Sequence, residues 1–285
     1  MSALKTGTVQ KVTVLKKITE GFILAGSDTS YKLPNENNGD HVIEIDQTID
    51  VFLYQDRNGE VIATRTIPDI RLDAFGWAEV TEVVPHLGVF VHIGIEKDIL
   101  VSKDSLPMIS RVWPSQGDWL FVSLERDKKG RLLAEPITEH EVQNDLLAAP
   151  TSLLNEWTTG RVYRATKAGS FILTEEGYRG FIHPTERKQE PRLGETIEGR
   201  VIAVKEDGTI NISLLPLKQE KQLEDAEQLV AYLEKHGGSM SFDDKSDPED
   251  IREAFNMSKA SFKRALGKLM KEDRVRQNEG KTMLK

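Results

Sequence analysis

Cysteine is absent from the 285 residues of the sequence. Disulfide bonds and zinc sites with thiolate ligands are therefore excluded. The six histidines show no metal-ligand spacing, and neither a His-Glu-x-x-His motif nor a phosphate-binding loop is present. The acidic pairs Asp243-Asp244 and Glu249-Asp250 lie where turns and helix starts are expected, and capping accounts for them. We therefore expect no metal, no cofactor and no enzymatic activity.

Long hydrophobic runs are also missing. The most apolar stretch, residues 87–95, is interrupted by Gly88 and His92 and is too short to cross a bilayer. Residues 1–5 lack the apolar segment of a signal peptide. From these features we expect a soluble, cytoplasmic protein that does not contact a membrane.

An excess of positive charge, the usual property of a nucleic-acid-binding protein, is missing from the chain as a whole, whose net charge is −8. The charge is unevenly distributed, however. Residues 1–158 carry 15 basic and 24 acidic residues, whereas residues 159–285 carry 23 and 22. Residues 257–285 alone carry nine basic and three acidic residues. This asymmetry predicts that nucleic acid binds the C-terminal half, and that the acidic front half serves for attachment or binds through stacking.

Three segments of the chain begin alike and form an internal repeat. Their starts are Gly7-Thr8-Val9, Gly76-Trp77-Ala78 and Gly160-Arg161-Val162. Each continues with alternating apolar and polar residues, which is typical of a half-buried strand. Each then has a turn glycine close to an aromatic residue, at Gly21-Phe22, Gly88-Val89-Phe90 and Gly169-Ser170-Phe171. Each ends in two strands joined by a hairpin, and five short strands in about 60–70 residues predict a small closed barrel.

These repeats define the predicted domains. We place barrels at residues 1–68, 69–139 and 159–216, and a short helical linker, broken by Pro150, at residues 140–158. One large β-sandwich is the alternative, but the start of the repeat is recognisable three times. In residues 217–285 the apolar spacing becomes helical and predicts three helices followed by a hairpin, which is the winged form of the helix-turn-helix.

The third repeat carries the main candidate binding surface. Alternation places Phe171 on the opposite face of its strand from Ile172. If Ile172 and Ile182 point into the barrel, then Phe171, Phe181 and His183 meet on its outside, where unpaired bases stack on aromatic rings. Cations that would hold phosphates nearby are Lys167, Arg179 and Arg164. The alternative is that these aromatic side chains fill an interface with a neighbouring repeat.

Further candidates lie in the other repeats. Phe90 and His92 show the same alternation in the second repeat, but beside acidic residues, so RNA contact and burial between repeats both stay open. For Phe22 in the first repeat, burial in an interface with a neighbouring repeat is favoured.

The third C-terminal helix has a basic face. Phe262, Ala265, Leu266, Leu269 and Met270 form its predicted apolar stripe. The candidate phosphate-binding cations on this helix are Lys259, Lys263, Arg264, Lys268 and Lys271. A basic outward face at the position of a recognition helix indicates phosphate contact, and a merely solvated face is the alternative.

The third repeat resembles the RNA-binding repeat of ribosomal protein S-one, which is an OB-fold. The resemblance covers residues 159–216 and is carried by Gly160-x-Val162, Gly169-Ser170-Phe171-Ile172, Gly180-Phe181-Ile182-His183, and Leu193-Gly194-Glu195 through Ile212-Ser213-Leu214. In that family, aromatic residues of the second strand and the histidine that ends the third strand contact RNA. These positions correspond to Phe171 and His183. The chain departs from the family at Ala168, where an aromatic residue usually precedes the turn glycine.

Three such repeats followed by a winged helix resemble the conserved virulence factor B family of Gram-positive bacteria. The fold class is therefore expected to be mainly β with a C-terminal α+β domain, with three consecutive OB-fold barrels followed by a winged helix-turn-helix. The resemblance implies RNA binding and regulation of virulence-factor expression. We expect the third barrel and the winged helix to bind single-stranded RNA on one continuous surface. A DNA-binding transcription regulator and a protein-interaction scaffold are the alternatives, and the oligomeric state stays open.

Overall fold

The alternating segments of the sequence form the strands of three closed barrels. The computed structural model describes residues 6–27, 29–137, 147–278 and 280–285, with the backbone alone at residues 218–221, and divides into two compact units, Met1–Leu214 and Leu215–Lys285. Barrel 1 contains β1 Val9–Ile18, β2 Gly21–Ala25, β3 Ser30–Pro34, β4 Thr48–Gln55 and β5 Val61–Thr64. Barrel 2 contains β6 Gly76–Val84, β7 Gly88–His92, β8 Ile99–Ser102, β9 Trp119–Arg126 and β10 Leu132–Pro136. Barrel 3 contains β11 Trp157–Thr166, β12 Gly169–Thr174, β13 Arg179–Ile182, β14 Thr196–Val204 and β15 Ile210–Ser213.

All three barrels share one strand order. In barrel 1 the closed order is β1-β2-β3-β5-β4, with β3 and β5 parallel, and barrels 2 and 3 repeat it. The first strand of each barrel has a bulge, at Leu15, Thr81 and Tyr163. The bulge bends that strand so that it pairs with both the second and the fourth strand. Closure leaves no long unpaired edge, and the predicted fold class is confirmed.

Residues 147–158 differ from the predicted helical linker. Apart from one 3-10 turn at Thr151–Leu153, they have no helix. Their backbone pairs with barrel 3 instead, because Ala149 N–H donates to Gly208 O at 3.0 Å and Asn155 N–H donates to Val201 O at 2.8 Å. β11 then begins at Trp157. The rest of the predicted linker, residues 140–146, lies outside the described residues.

Barrels 2 and 3 are joined by a short segment of barrel 3. Leu193 is buried in the core of barrel 2, and its N–H donates to Val112 O at 2.9 Å. Trp119 N–H donates to Gly194 O at 3.1 Å, and Arg192 forms two hydrogen bonds of 3.1 Å with the carboxylate of Asp118. These bonds raise the pKa of Arg192. Gly194 is required here, because its φ is +83° and a Cβ atom would lie 2.9 Å from Trp119 O.

Barrel 1 packs on barrel 2 in a similar way. Phe52, Tyr54 and Ile62 of barrel 1 belong to the same buried cluster as the core of barrel 2. Lys97 of barrel 2 donates from Nζ to Gln55 O at 2.8 Å and to Asp56 O at 3.2 Å. Burial lowers the pKa of Lys97. The first unit is therefore continuous from one barrel to the next.

The second unit is a winged helix. It contains α1 Lys218–Lys235, β16 Ser239–Met240, α2 Pro248–Phe255, α3 Lys259–Lys271, β17 Val275–Asn278 and β18 Lys281–Leu284. Asp247 caps α2 by accepting the N–H of Glu249, and Ser258 caps α3 by accepting the N–H of Ser261. The sheet order is β16-β18-β17, which adds one short strand to the predicted hairpin. None of the helices in the described residues is long and apolar enough to span a membrane.

One residue of the predicted apolar stripe of α3 is not buried. Phe262, Ala265, Leu266 and Leu269 lie in the core of the winged helix, but Met270 is 45% exposed. Including Met270 in the stripe was wrong, because it lies about 100° around the helix from Leu269 and beyond the edge of the packed face.

Candidate nucleic-acid interface

The outer face of barrel 3 brings three predicted side chains together. Ile172 and Ile182 are fully buried inside the barrel, so Phe171, Phe181 and His183 point outward. Phe171 and Phe181 are cross-strand partners with ring centroids 5.0 Å apart, and the ring of His183 lies 6.4 Å from that of Phe181. The three rings form a platform, which we call the barrel 3 platform.

Two arginines lie over one ring of this platform. The guanidinium carbons of Arg164 and Arg179 are 5.6 Å and 5.4 Å from the centroid of the Phe171 ring. At these distances the two cations are attracted to the ring, and this attraction keeps them beside the platform. Lys167 lies elsewhere: it lines an apolar hollow together with Pro107 and Ile109 of barrel 2.

A groove of about 260 Å³ runs beside the two phenylalanines. Arg179 and Lys205 supply its positive charge, and Ala168 leaves space where a larger side chain would fill the groove. Thr209, also on the groove, donates its hydroxyl to Asp207 at 2.7 Å, and this bond lowers the pKa of the Asp207 carboxyl. The sequence reasoning missed Lys205, although it directly precedes a hairpin turn that closes next to the platform.

Asn211 is a second residue that the sequence reasoning missed. It lies on β15 opposite Phe181, between the buried Ile210 and Ile212. Among the described residues its Oδ1 atom is buried without a hydrogen-bond partner. A polar side chain alternating with two buried isoleucines was a signal that the chain contained.

His183 is held in one orientation. Its Nδ1 atom accepts the N–H of Thr185 at 3.2 Å and lies 2.8 Å from the hydroxyl of the same residue. Because Nδ1 accepts, the neutral ring carries its proton on Nε2. His183 is exposed, so Nε2–H is a donor at the edge of the platform.

The corresponding face of barrel 2 has the opposite charge. Counted from the bulge, Phe90 occupies the position of Phe171. Its cross-strand neighbour is Glu82, where barrel 3 has Arg164. Asp98 occupies the position of Arg179 and is held by Thr81 at 2.9 Å and by His92 Nδ1 at 3.0 Å. His92 itself corresponds to Leu173, so it is not the counterpart of His183.

Barrel 1 lacks an aromatic residue at this position. Ile23 is the counterpart of Phe171 and lies opposite Lys16. Phe22, one residue earlier, points inward and is buried in the core. Phe22 is therefore buried in the core of its own barrel and not, as predicted, in an interface with a neighbouring repeat.

Phe171 packs on an apolar cluster to which both barrels contribute. A small apolar cluster around the buried Ile137 and Tyr163 includes Trp77 and Phe121 of barrel 2 as well as Phe171 and Leu173. The alternative reading, burial in an interface between repeats, thus describes one side of Phe171, while its other side lines the groove.

The winged helix brings together a smaller basic face. Lys263, Arg264 and Lys271 are exposed on α3, whereas Lys259 and Lys268 are half-buried. Lys268 Nζ is 2.6 Å from Glu272 and Lys263 Nζ is 3.9 Å from Asp244. Arg264 and Lys271 are therefore the exposed cations of α3 for which no carboxylate lies within salt-bridge distance in the part of the chain that the structure describes.

Family models match all four domains. They are the S1 domain at residues 6–66, the CvfB first S1-like domain at 75–135, the second domain of virulence regulatory factor CvfB at 143–216 and the CvfB-like winged helix domain at 227–284. The chain belongs to the conserved virulence factor B family. The matched domains are of S1-like and winged helix types, which bind nucleic acid, and none of these models is of an enzyme family.

Relatives match over nearly the whole chain. Uncharacterized protein YitL of Bacillus subtilis is 45% identical over 92% of this chain and 88% of its own length. Conserved virulence factor B of Staphylococcus epidermidis is 37% identical over 98% and 94%. A solved multidomain protein with nucleic acid binding domains from Streptococcus pneumoniae is 35% identical, with a TM-score of 0.67 and 99% of each chain covered. This member of the conserved virulence factor B family is accordingly a nucleic-acid-binding regulatory protein.

Proposed function

We propose that the protein binds single-stranded RNA and regulates gene expression after transcription, including the expression of virulence factors. The observation that carries this proposal is the barrel 3 platform, with two aromatic rings 5.0 Å apart and two arginines over one of them. Stacking on such rings requires bases that are free of a partner strand. The four matched domains and the names of the relatives support a regulatory role.

The side chains of the platform and its groove contact different parts of the RNA in this proposal. Phe171 and Phe181 stack on successive bases, and the groove beside them accommodates one base edge. Arg164, Arg179 and Lys205 contact phosphates. Asn211, half-buried opposite Phe181, offers its side-chain amide to a base edge, and His183 donates from Nε2 to a phosphate, a sugar or a base.

The winged helix contributes phosphate contacts. Arg264 and Lys271 project from α3, which presents no Asn or Gln, the residues that read adenine edges in the major groove of DNA. Phosphate contacts position a strand without reading its sequence. The winged helix therefore adds affinity more than base specificity.

A competition experiment tests this proposal. A labelled single-stranded RNA bound to the full chain is displaced by unlabelled RNA or by duplex DNA of the same sequence. We expect single-stranded RNA to compete at least tenfold better. Better competition by duplex DNA would indicate a DNA-binding regulator, and no binding of either would indicate a protein-interaction scaffold.

A further inference from the structure

The junction of barrels 2 and 3 contains a second cavity, separate from the groove beside Phe181. It has a volume of about 400 Å³ and is lined by Trp77 of barrel 2 and by Arg161, Leu173 and Glu175 of barrel 3. Leu173 lies two residues beyond Phe171 on the same outward face of β12. The cavity therefore begins where the barrel 3 platform ends.

Arg161 lies close to two tryptophan rings of barrel 2 in this junction. Its guanidinium carbon lies 5.6 Å from the centroid of the Trp77 ring and 5.5 Å from that of the Trp119 ring. Among the described residues its Nε–H is buried without an acceptor. The aromatic surroundings hold the cation in place, and within the described part of the chain no carboxylate lies at salt-bridge distance from it, so its charge can attract a phosphate.

Several contacts hold the two sides of the junction together. Arg192 bridges to Asp118, and the backbone bonds of Leu193 and Gly194 fix barrel 3 against barrel 2. Trp77 also packs on Phe121, with ring centroids 4.8 Å apart. A strand that enters the cavity therefore meets surfaces already in position, which lowers the cost of ordering on binding.

We propose that this cavity is a second nucleotide site, in which Trp77 contacts a base and Arg161 its phosphate, so that a strand bound on the barrel 3 platform continues onto barrel 2. This inference rests on the proposed function. Barrel 2 then contributes through the junction and not through its own Phe90 face, whose neighbours Glu82 and Asp98 repel phosphate. Glu175 on the rim of the cavity keeps phosphates on the Arg161 side.

Two oligonucleotide lengths separate the two sites. A single strand of about four nucleotides is enough for one OB-fold face, whereas one of about ten reaches the junction. In the full chain, Trp77→Leu is expected to weaken binding of the longer strand about 5- to 100-fold and to leave the shorter one unchanged. Trp77→Phe keeps a ring and is expected to bind nearly as well as the parent chain. Phe90→Leu, a matched change on barrel 2, is expected to have no effect on either strand.

The outcomes distinguish this inference from the proposed function. If Trp77→Leu binds both lengths normally while Phe171→Leu weakens both, the junction site is wrong and the proposed function stands. If Phe171→Leu also binds normally, the proposed function fails. Should Trp77→Leu not fold, photocrosslinking of the parent chain to a ten-nucleotide strand carrying 5-iodouracil decides: crosslinks at Trp77 support the site, and crosslinks confined to barrel 3 overturn it.

Discussion

The guanidinium of Arg164 lies over the ring of Phe171, and the same pair of positions in barrel 2 holds Glu82 and Phe90. Barrels 2 and 3 share the fold and the strand register, and both have phenylalanine at this position. The side chains next to the two rings, however, have opposite charges. A ring flanked by cations attracts a stacked base with its phosphates, whereas a ring flanked by carboxylates repels them. The two barrels are therefore expected to differ in RNA binding because of a few side chains and not because of their backbones.

Removing the ring of Phe171 tests the stacking contact. Phe171→Ala is expected to weaken binding of single-stranded RNA by about 1–3 kcal/mol, with little change in its salt dependence, because no phosphate contact is lost. Phe90→Ala in barrel 2 is the control and should bind as the parent chain does. Titrations at several salt concentrations measure both quantities. Normal binding by Phe171→Ala together with a much lower melting temperature would make Phe171 a purely structural residue.

Reversing the charges beside Phe171 tests the electrostatic difference between the barrels. Arg164→Glu combined with Arg179→Asp gives barrel 3 the charges of barrel 2 at equivalent positions. This double variant is expected to weaken RNA binding at least tenfold at low salt and less at high salt. Binding constants at two ionic strengths are the measurement. An equal loss at both would point to a distorted barrel instead.

The basic face of α3 is tested through counterion release. Arg264→Ala with Lys271→Ala should flatten the dependence of log affinity on log salt by about 0.7 for each lost phosphate contact on a single strand. Lys268→Ala is the matched control, because Lys268 is already paired with Glu272. If the control flattens the slope as much as the double variant, the side chains do not act as assigned here.

Two glycines are expected to respond to alanine in opposite directions. Gly267 is in the middle of α3 and a Cβ atom there meets nothing within 4 Å, so Gly267→Ala should raise the free energy of unfolding of the winged helix by about 0.5–1 kcal/mol. Gly194→Ala should lower the stability of the first unit by about 1–3 kcal/mol, because Gly194 has a positive φ and is close to Trp119 O. Thermal and denaturant unfolding measure both. Stabilisation by Gly194→Ala would disprove the close approach.

The strands, the caps and the face of each barrel 3 side chain were predictable from local patterns. Alternation placed Phe171 outside and Ile172 inside, and the caps Asp247 and Ser258 act only on backbone N–H groups two or three residues further along the chain. These features depend on residues close in sequence. They therefore do not depend on how distant parts of the chain pack.

Features set by contacts between distant residues were not predictable in this way. Phe22 and Phe90 both follow a turn glycine, but at distances of one and two residues, and only the register shows that they face opposite ways. The same holds for Trp77 and Arg161, which belong to different barrels and meet across the junction. The backbone of residues 147–158 forms hydrogen bonds with barrel 3. These bonds to distant residues decide its conformation, and the helical pattern of its own sequence does not.

Leu193 belongs to barrel 3 by sequence but is buried in the core of barrel 2. Barrel 3 moved alone into another protein would expose an apolar side chain, and barrel 2 left behind would contain a hole. The two repeats are therefore not interchangeable cassettes, although they share one strand order. Although the barrels are similar units, barrels 2 and 3 depend on each other for stability, so that exchanging or deleting one is expected to destabilise the other.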